Sequence, residues 1–234
     1  MGIDMRSSNL MFCLFAIGSG LLFYLYPDFD LHISGWLKAV SLQHLDGLFY
    51  FIYKSPIVVS VVSMLFLVVE LLFFIVCRRT IVFPVSTSIF LLLCWIIGPA
   101  LIVNVVFKNH IGRPRPSQIV EFNGSHHYVP PFSLSNACKK NCSFVCGHSS
   151  VGFVFSALAF VYRDSRRKIL LLSIFSGSVV GFVRMIQGGH FLSDIVFSFV
   201  FTYLGVYLAY RFMRYFRCDI RMTKPPSSLL DGQI

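Results

Sequence analysis

Three short stretches of this chain carry side chains able to hold a phosphate and transfer it. They are Lys108–Pro116 (KNHIGRPRP), Ser143–His148 (SFVCGH) and Arg184–Asp194 (RMIQGGHFLSD). In the first, Lys108 and Arg115 are seven residues apart, and Pro116 follows Arg115. A phosphate dianion needs several donors: Arg offers a rigid fork for two oxygens, and Lys a compact charge. Pro114 and Pro116 restrict the backbone that carries these cations. The same residues also read as an ordinary basic anchor beside a membrane span. In the second stretch, Gly147-His148 opens an apolar run. The first turn of a helix exposes backbone N–H groups and a positive dipole end, which suit a phosphate. His148 there could give a proton to a leaving oxygen; the plainer reading is a structural histidine. In the third, a helix starting at Leu192 puts His190 at its mouth and Asp194 about one turn inward. A carboxylate at that spacing takes the ring N–H, sets the tautomer and leaves the other nitrogen free to attack phosphorus. Gly188 and Gly189 allow the backbone close to a substrate, and Arg184 can stabilise phosphoryl charge. A capped helix beside a loop histidine is the alternative.

Each stretch lies at the end of a long apolar run. Of the 234 residues, 56% are hydrophobic and 13% charged, and the mean hydropathy is +0.74. A soluble domain carries roughly 25% charge, so this chain is built for lipid. The net charge of +10 does not point to nucleic acid, because no basic stripe interleaved with polar and aromatic residues stands apart from the membrane anchors. Six segments can span, over approximately 9–26, 57–77, 82–107, 148–162, 168–187 and 194–216, against a need for about 20 apolar residues. The first lacks a small-residue cleavage site and reads as an uncleaved span. Glu70 inside the second should face other helices or a polar partner. The fold class is therefore all-α and polytopic, a single domain over residues 1–221 with a disordered tail over 222–234.

Basic residues set the orientation. Twelve of the 20 fall on one side, in termini and short loops: Arg6, Arg78, Arg79, Arg163, Arg166, Arg167, Lys168, Arg211, Arg214, Arg217, Arg221 and Lys224. Four of the other eight, Lys108, Arg113, Arg115 and Arg184, belong to the motifs. Both termini are then cytoplasmic, and the motifs open on the extracytoplasmic face. Residues 27–56 form an outer connection in which Leu31–Leu42 reads as an interfacial helix or a simple loop. Residues 108–147 form the longest outer loop. Its Cys138, Cys142 and Cys146 recur at four-residue spacing, unlike the two-pair zinc pattern. A Cys138–Cys142 disulfide and unpaired thiols both fit an oxidising face.

The motifs together resemble the type 2 phosphatidic acid phosphatase superfamily, whose patterns read K-x6-R-P, P-S-G-H and S-R-x5-H-x3-D. The matching residues are Lys108-x6-Arg115-Pro116, Val145-Cys146-Gly147-His148 and Val183-Arg184-x5-His190-x3-Asp194. The resemblance implies a nucleophile at His190, oriented by Asp194, and a general acid at His148. It places phosphate on Lys108, Arg115, Arg184, Gly147 and Cys146, and implies no metal and no cofactor. Cys146 and Val183 stand where the family has Ser. A thiol is a weak donor, which leaves the backbone N–H as the expected contact at 146. The Gly188–Asp194 stretch and the Cys146-Gly147-His148 variant look most like the bacterial lipid A phosphatase branch. The expected partner is then a phospholipid, lipid A or prenyl-pyrophosphate substrate in the bacterial inner membrane, met on the periplasmic side. Undecaprenyl-pyrophosphate and phosphatidylglycerophosphate phosphatases are the neighbouring alternatives. A transporter would place its ionisable groups near the midplane, and an inactive scaffold would share the fold without the turnover.

Overall fold

The computed structural model describes residues 5–39 and 46–220, which fold as helices and connecting loops. Helix α1 is Met5–Leu25 and α2 is Phe29–Ala39; the chain bends by 85° between them. Over Leu31–Leu42, where the sequence left a helix and a simple loop open, the residues up to Ala39 are helical as part of α2, whose axis leaves the line of α1, and residues 40–42 lie outside the described residues. Helix α3, Asp46–Cys77, begins earlier than expected, so much of the outer connection is helical. Helix α4 is Val85–Phe107, α5 is Gly147–Val161, α6 is Arg166–Ile186 and α7 is Leu192–Tyr215.

Helices α3, α4, α7 and α6 with the turn leading into it are each long and apolar enough to cross a membrane. The bent α1–α2 pair makes a fifth candidate, whereas α5 is shorter. The protein is a multi-pass membrane protein. All six expected segments are helical, and four to five of them qualify as spans by length and composition. The expected tail over 222–234 lies outside the described residues.

Helix α7 is the central post. Of its most apolar window 61% is buried, against 11% for α3, which leaves most Val, Leu and Phe side chains of α3, Phe49 and Leu67 excepted, facing outward as lipid-facing residues do. Gly98 on α4 and Gly205 on α7 let the two backbones meet; a Cβ at Gly205 would come within 2.6 Å of Gly98 Cα. Small residues at such crossings gain dispersion contacts that lipid does not replace. From Ile96 to Phe107, α4 widens into π-helical turns around Pro99. Proline has no N–H to give the ladder. The carbonyl of Pro99 instead accepts from Asn104 Nδ2 at 2.7 Å. Such π-helical turns often sit at functional sites, and here they end at Lys108. Glu70 is buried, and its Oε1 accepts from the amides of Val82 and Phe83 at 2.8 and 2.7 Å. The expected polar partner is thus the backbone of the α3–α4 turn.

Candidate active site

The end of α4, the start of α5, the end of α6 and the start of α7 meet at one end of the bundle. This follows from antiparallel packing: each motif lies at a helix terminus, and alternate termini share a face. Lys108 and Arg184 are largely buried, and Arg115 and His148 are half-buried. His148 lies within electrostatic reach of Arg184, His190, Lys108 and Arg115, so all three motifs converge.

The front of the site is cationic. Asn104 and Lys108 reach close over Gly147: a Cβ there would come 2.7 Å from Asn104 Oδ1 and 3.3 Å from Lys108 Nζ. Lys108 therefore sits against the N-terminus of α5, whose first amides, at Gly147, His148 and Ser149, have no acceptor in the helix ladder. Gly189 plays a similar part, since a Cβ there would meet Arg184 Nη2 at 2.3 Å. Arg184 Nη1 donates to Gln187 Oε1 at 2.5 Å, and its buried Nε has no partner. Arg115 Nη2 donates to the Asn141 carbonyl at 2.9 Å. Burial first, then the Arg115 and Arg184 charges, pulls the Lys108 ammonium below its ordinary value, against the opposing effect of Cys146. A bound phosphate dianion would reverse that destabilisation.

The back of the site is a buried polar cluster around His190. The ring Nδ1 lies 3.4 Å from Asp194 Oδ2, and the buried Nε2 has no hydrogen-bond partner. Asp194 Oδ2 also accepts from Ser143 Oγ at 2.5 Å and from the Phe191 amide at 2.9 Å. The carboxylate thus caps α7 and orients the ring at once. Burial disfavours charge on His190, but Cys146 and the Asp194 carboxylate outweigh it and raise the ring above its ordinary value.

Cys146 is fully buried. Burial resists its ionisation, but the neighbouring His190 ring brings the thiol down to about 7. Its amide is not open to a phosphate: it donates to the Asp194 carbonyl at 3.0 Å. The backbone contact expected at 146 is therefore not available from that amide. Cys138 and Cys142 are disulfide-bonded, and Cys146 is free. Among the described residues no group of three or more His, Cys, Asp and Glu side chains could hold a metal ion.

Sequence reasoning missed several residues here. Arg113 is fully buried and donates from Nη1 to Asp194 Oδ1 and from Nη2 to Asp30 Oδ2, both at 2.8 Å. Asp30 in turn accepts from the Ser193 amide at 2.9 Å and from the Ser193 hydroxyl. Tyr53 of α3 stacks on His148 with ring centroids 4.9 Å apart, and the Arg184 guanidinium lies 4.7 Å from the same ring. Arg113 was visible as a motif cation, though not as a buried one. Asp30 and Tyr53 carried no signal, since only folding brings them to residues far along the chain.

The PAP2 superfamily profile matches residues 89–218, which hold every motif residue named above. The chain belongs to the PAP2 superfamily. Among curated PAP2 relatives, the lipid A 4'-phosphatase of Francisella tularensis subsp. novicida is 36% identical, over 88% of this chain and 94% of the relative. The lipid A 4'-phosphatase of Rhizobium leguminosarum is 40% identical over 45% of this chain and 46% of its own length. No solved structure matches this PAP2 chain.

Proposed function

We propose that this protein is a membrane lipid phosphatase that removes a phosphate from lipid A, at the 4' position named for its relatives, through a phosphohistidine intermediate. The observation that carries the reading is the state of His190. Its Nδ1 is turned to a carboxylate, and its buried Nε2 has no hydrogen-bond partner at standard geometry among the described residues, with the Cys146 thiol beside the ring. Three cations stand near, with no carboxylate at ion-pair distance among the described residues.

Lys108, Arg115, Arg184 and the first amides of α5 hold the phosphoryl oxygens. His190 Nε2 attacks phosphorus, the bond to the leaving lipid oxygen breaks, and His148 gives that oxygen its proton. Asp194 stabilises the charge that appears on the His190 ring. Water then attacks phosphorus with His148 as base, and the N–P bond breaks. Tyr53 holds the His148 ring by stacking, and Cys146 lines the pocket beside His190. The three cations supply the charge neutralisation that metals provide in other phosphatases.

On this reading α1 and α3–α7 span the bacterial inner membrane, with α5 completing its crossing through polar His148 and Ser149 at its outer end. The site faces the periplasm and the termini face the cytoplasm, in line with the 12-to-8 split of basic residues. Reporter fusions after Arg79 and Arg167 should report cytoplasm, and fusions within 123–140 should report periplasm. The activity is tested by phosphate release from purified protein on lipid A, undecaprenyl pyrophosphate, phosphatidylglycerophosphate and phosphatidic acid. Lipid A should be turned over fastest. Faster turnover of another lipid would move the substrate assignment, and no turnover of any would remove the phosphatase reading.

A further inference from the structure

Behind His190 lies a chain of buried charge that ends at Asp194 and whose other two members the reaction above does not use. Asp30 comes from α2, Arg113 from the loop after α4, and Asp194 from α7; all three are fully buried. The Arg113 guanidinium is fully engaged. Besides the two carboxylates, it donates to Ser193 Oγ at 2.8 Å, to Tyr128 Oη at 3.3 Å and to the Val129 carbonyl at 2.8 Å. The Phe191 ring lies 4.1 Å from its central carbon. Burying three charges for stability alone is a poor arrangement, since well-packed apolar residues often serve as well or better. The arrangement calls for a reason at the site.

We propose that Arg113, anchored by Asp30, is the positioning residue of the His190–Asp194 pair. It fixes the carboxylate plane through Asp194 Oδ1, so that Oδ2 is presented to His190 Nδ1. It also leaves the three-group chain with a single net negative charge facing the ring. That charge meets the positive charge that develops on the imidazole as Nε2 bonds to phosphorus. One planar fork must reach two carboxylates at once, which a lysine ammonium on one nitrogen does not do in the same geometry. Asp30 ties the fork to α2 and to the Ser193 amide at the start of α7. The proposal rests on the phosphohistidine reading above.

The groups facing His190 are Asp194 on α7, Cys146 before α5 and His148 on α5, with Arg113 and Asp30 acting through Asp194. Replacing Arg113 with a neutral residue leaves two buried carboxylates uncompensated. His190 then holds its proton more tightly, and the acid limb of the pH–rate profile moves up. Replacing Asp30 with Asn removes negative charge and moves the limb down. A residue acting through its charge alone would move the limb in Arg113→Gln yet keep wild-type kcat in the charge-conserving Arg113→Lys.

The test uses full-length protein in detergent and phosphate release from the lipid that the wild type hydrolyses, across pH. Arg113→Lys should lose roughly 100-fold in kcat with KM within about threefold. Arg113→Gln should move the acid limb up by about one pH unit, and Asp30→Asn should move it down. Wild-type kcat in Arg113→Lys, or an unmoved limb in Asp30→Asn, would overturn the proposal. If Arg113→Gln does not fold, those two variants still decide. A wild type inactive on every lipid would sink the phosphatase reading instead.

Discussion

Behind His190, Asp30, Arg113, Ser143, Ser193 and Asp194 satisfy one another. In front, Lys108, Arg115 and Arg184 bring three positive charges together with no carboxylate at ion-pair distance among the described residues. Arg113 and Arg115 are two residues apart in sequence and belong to opposite regimes. The first is locked between carboxylates, and the second reaches a single carbonyl at the rim. The rear wall is finished before substrate arrives and acts by holding a geometry. The front wall repels itself and is completed by an anion. Preorganised dipoles and charges work best where no reorganisation is needed at the moment of reaction, and the division of labour between the walls meets that condition.

The sharpest test of the comparison lies where the walls meet. His190→Asn should lose at least about 10⁴-fold in kcat, since it removes the nucleophile itself. Phosphate release from purified protein checks this, and retention of wild-type rates would sink the nucleophile assignment. Next, the walls should respond differently to loss of charge. Arg184→Ala should cost roughly 10²–10³ in kcat while destabilising the fold less than a rear-wall variant does, because relief of the repulsion among the three cations offsets the lost Gln187 and Tyr53 contacts. Asp194→Asn should cost activity and also about 3–5 kcal/mol of stability, because it leaves Arg113 buried with one partner fewer. Thermal denaturation alongside kinetics separates the two, and equal destabilisation by both variants would erase the distinction drawn here.

A smaller effect is expected at Cys146. His190 must be unprotonated at Nε2 to attack, and its ring is raised above 6.5. Activity should therefore fall as pH drops through a value above the ordinary imidazole range. Cys146→Ser removes an ionisable neighbour that favours the protonated ring. The acid limb should then move to lower pH, with kcat changed only a few-fold. A limb that moves up would mean that the thiol does not act on His190 in this way. The smallest expected effect is none: excess EDTA should leave turnover intact, because Lys108, Arg115 and Arg184 neutralise the phosphate themselves. Inhibition by EDTA that added metal reverses would show that the front wall is incomplete without an ion.

Much of this protein could be read from order along the chain. Apolar runs near bilayer length predict helices because lipid leaves backbone groups no partner outside the chain. The i,i+4 spacing of His190 and Asp194 is a local property, so the pair survives into the structure. Gly189 was readable as a place of close backbone approach, though the neighbour it lies against, Arg184, was not. The early start of α3 was missed because Tyr50, Tyr53 and Lys54 look like loop residues when only apolar runs are sought. Amphipathic side chains extend a span into the interface without adding hydropathy.

What only the tertiary structure decided is pairing at a distance. The sequence shows Arg113 as one more motif cation, and charge alone does not say whether a guanidinium will meet phosphate or carboxylate. That choice depends on α2 swinging back by 85° to bring Asp30 beside a serine 163 residues away. The same is true of Tyr53 against His148 and of Glu70 under the α3–α4 turn. Chemistry of the local type is set by residue identity and helical spacing. The neighbours that make it a site come from packing, where burial forces each polar group to find a partner wherever the fold provides one.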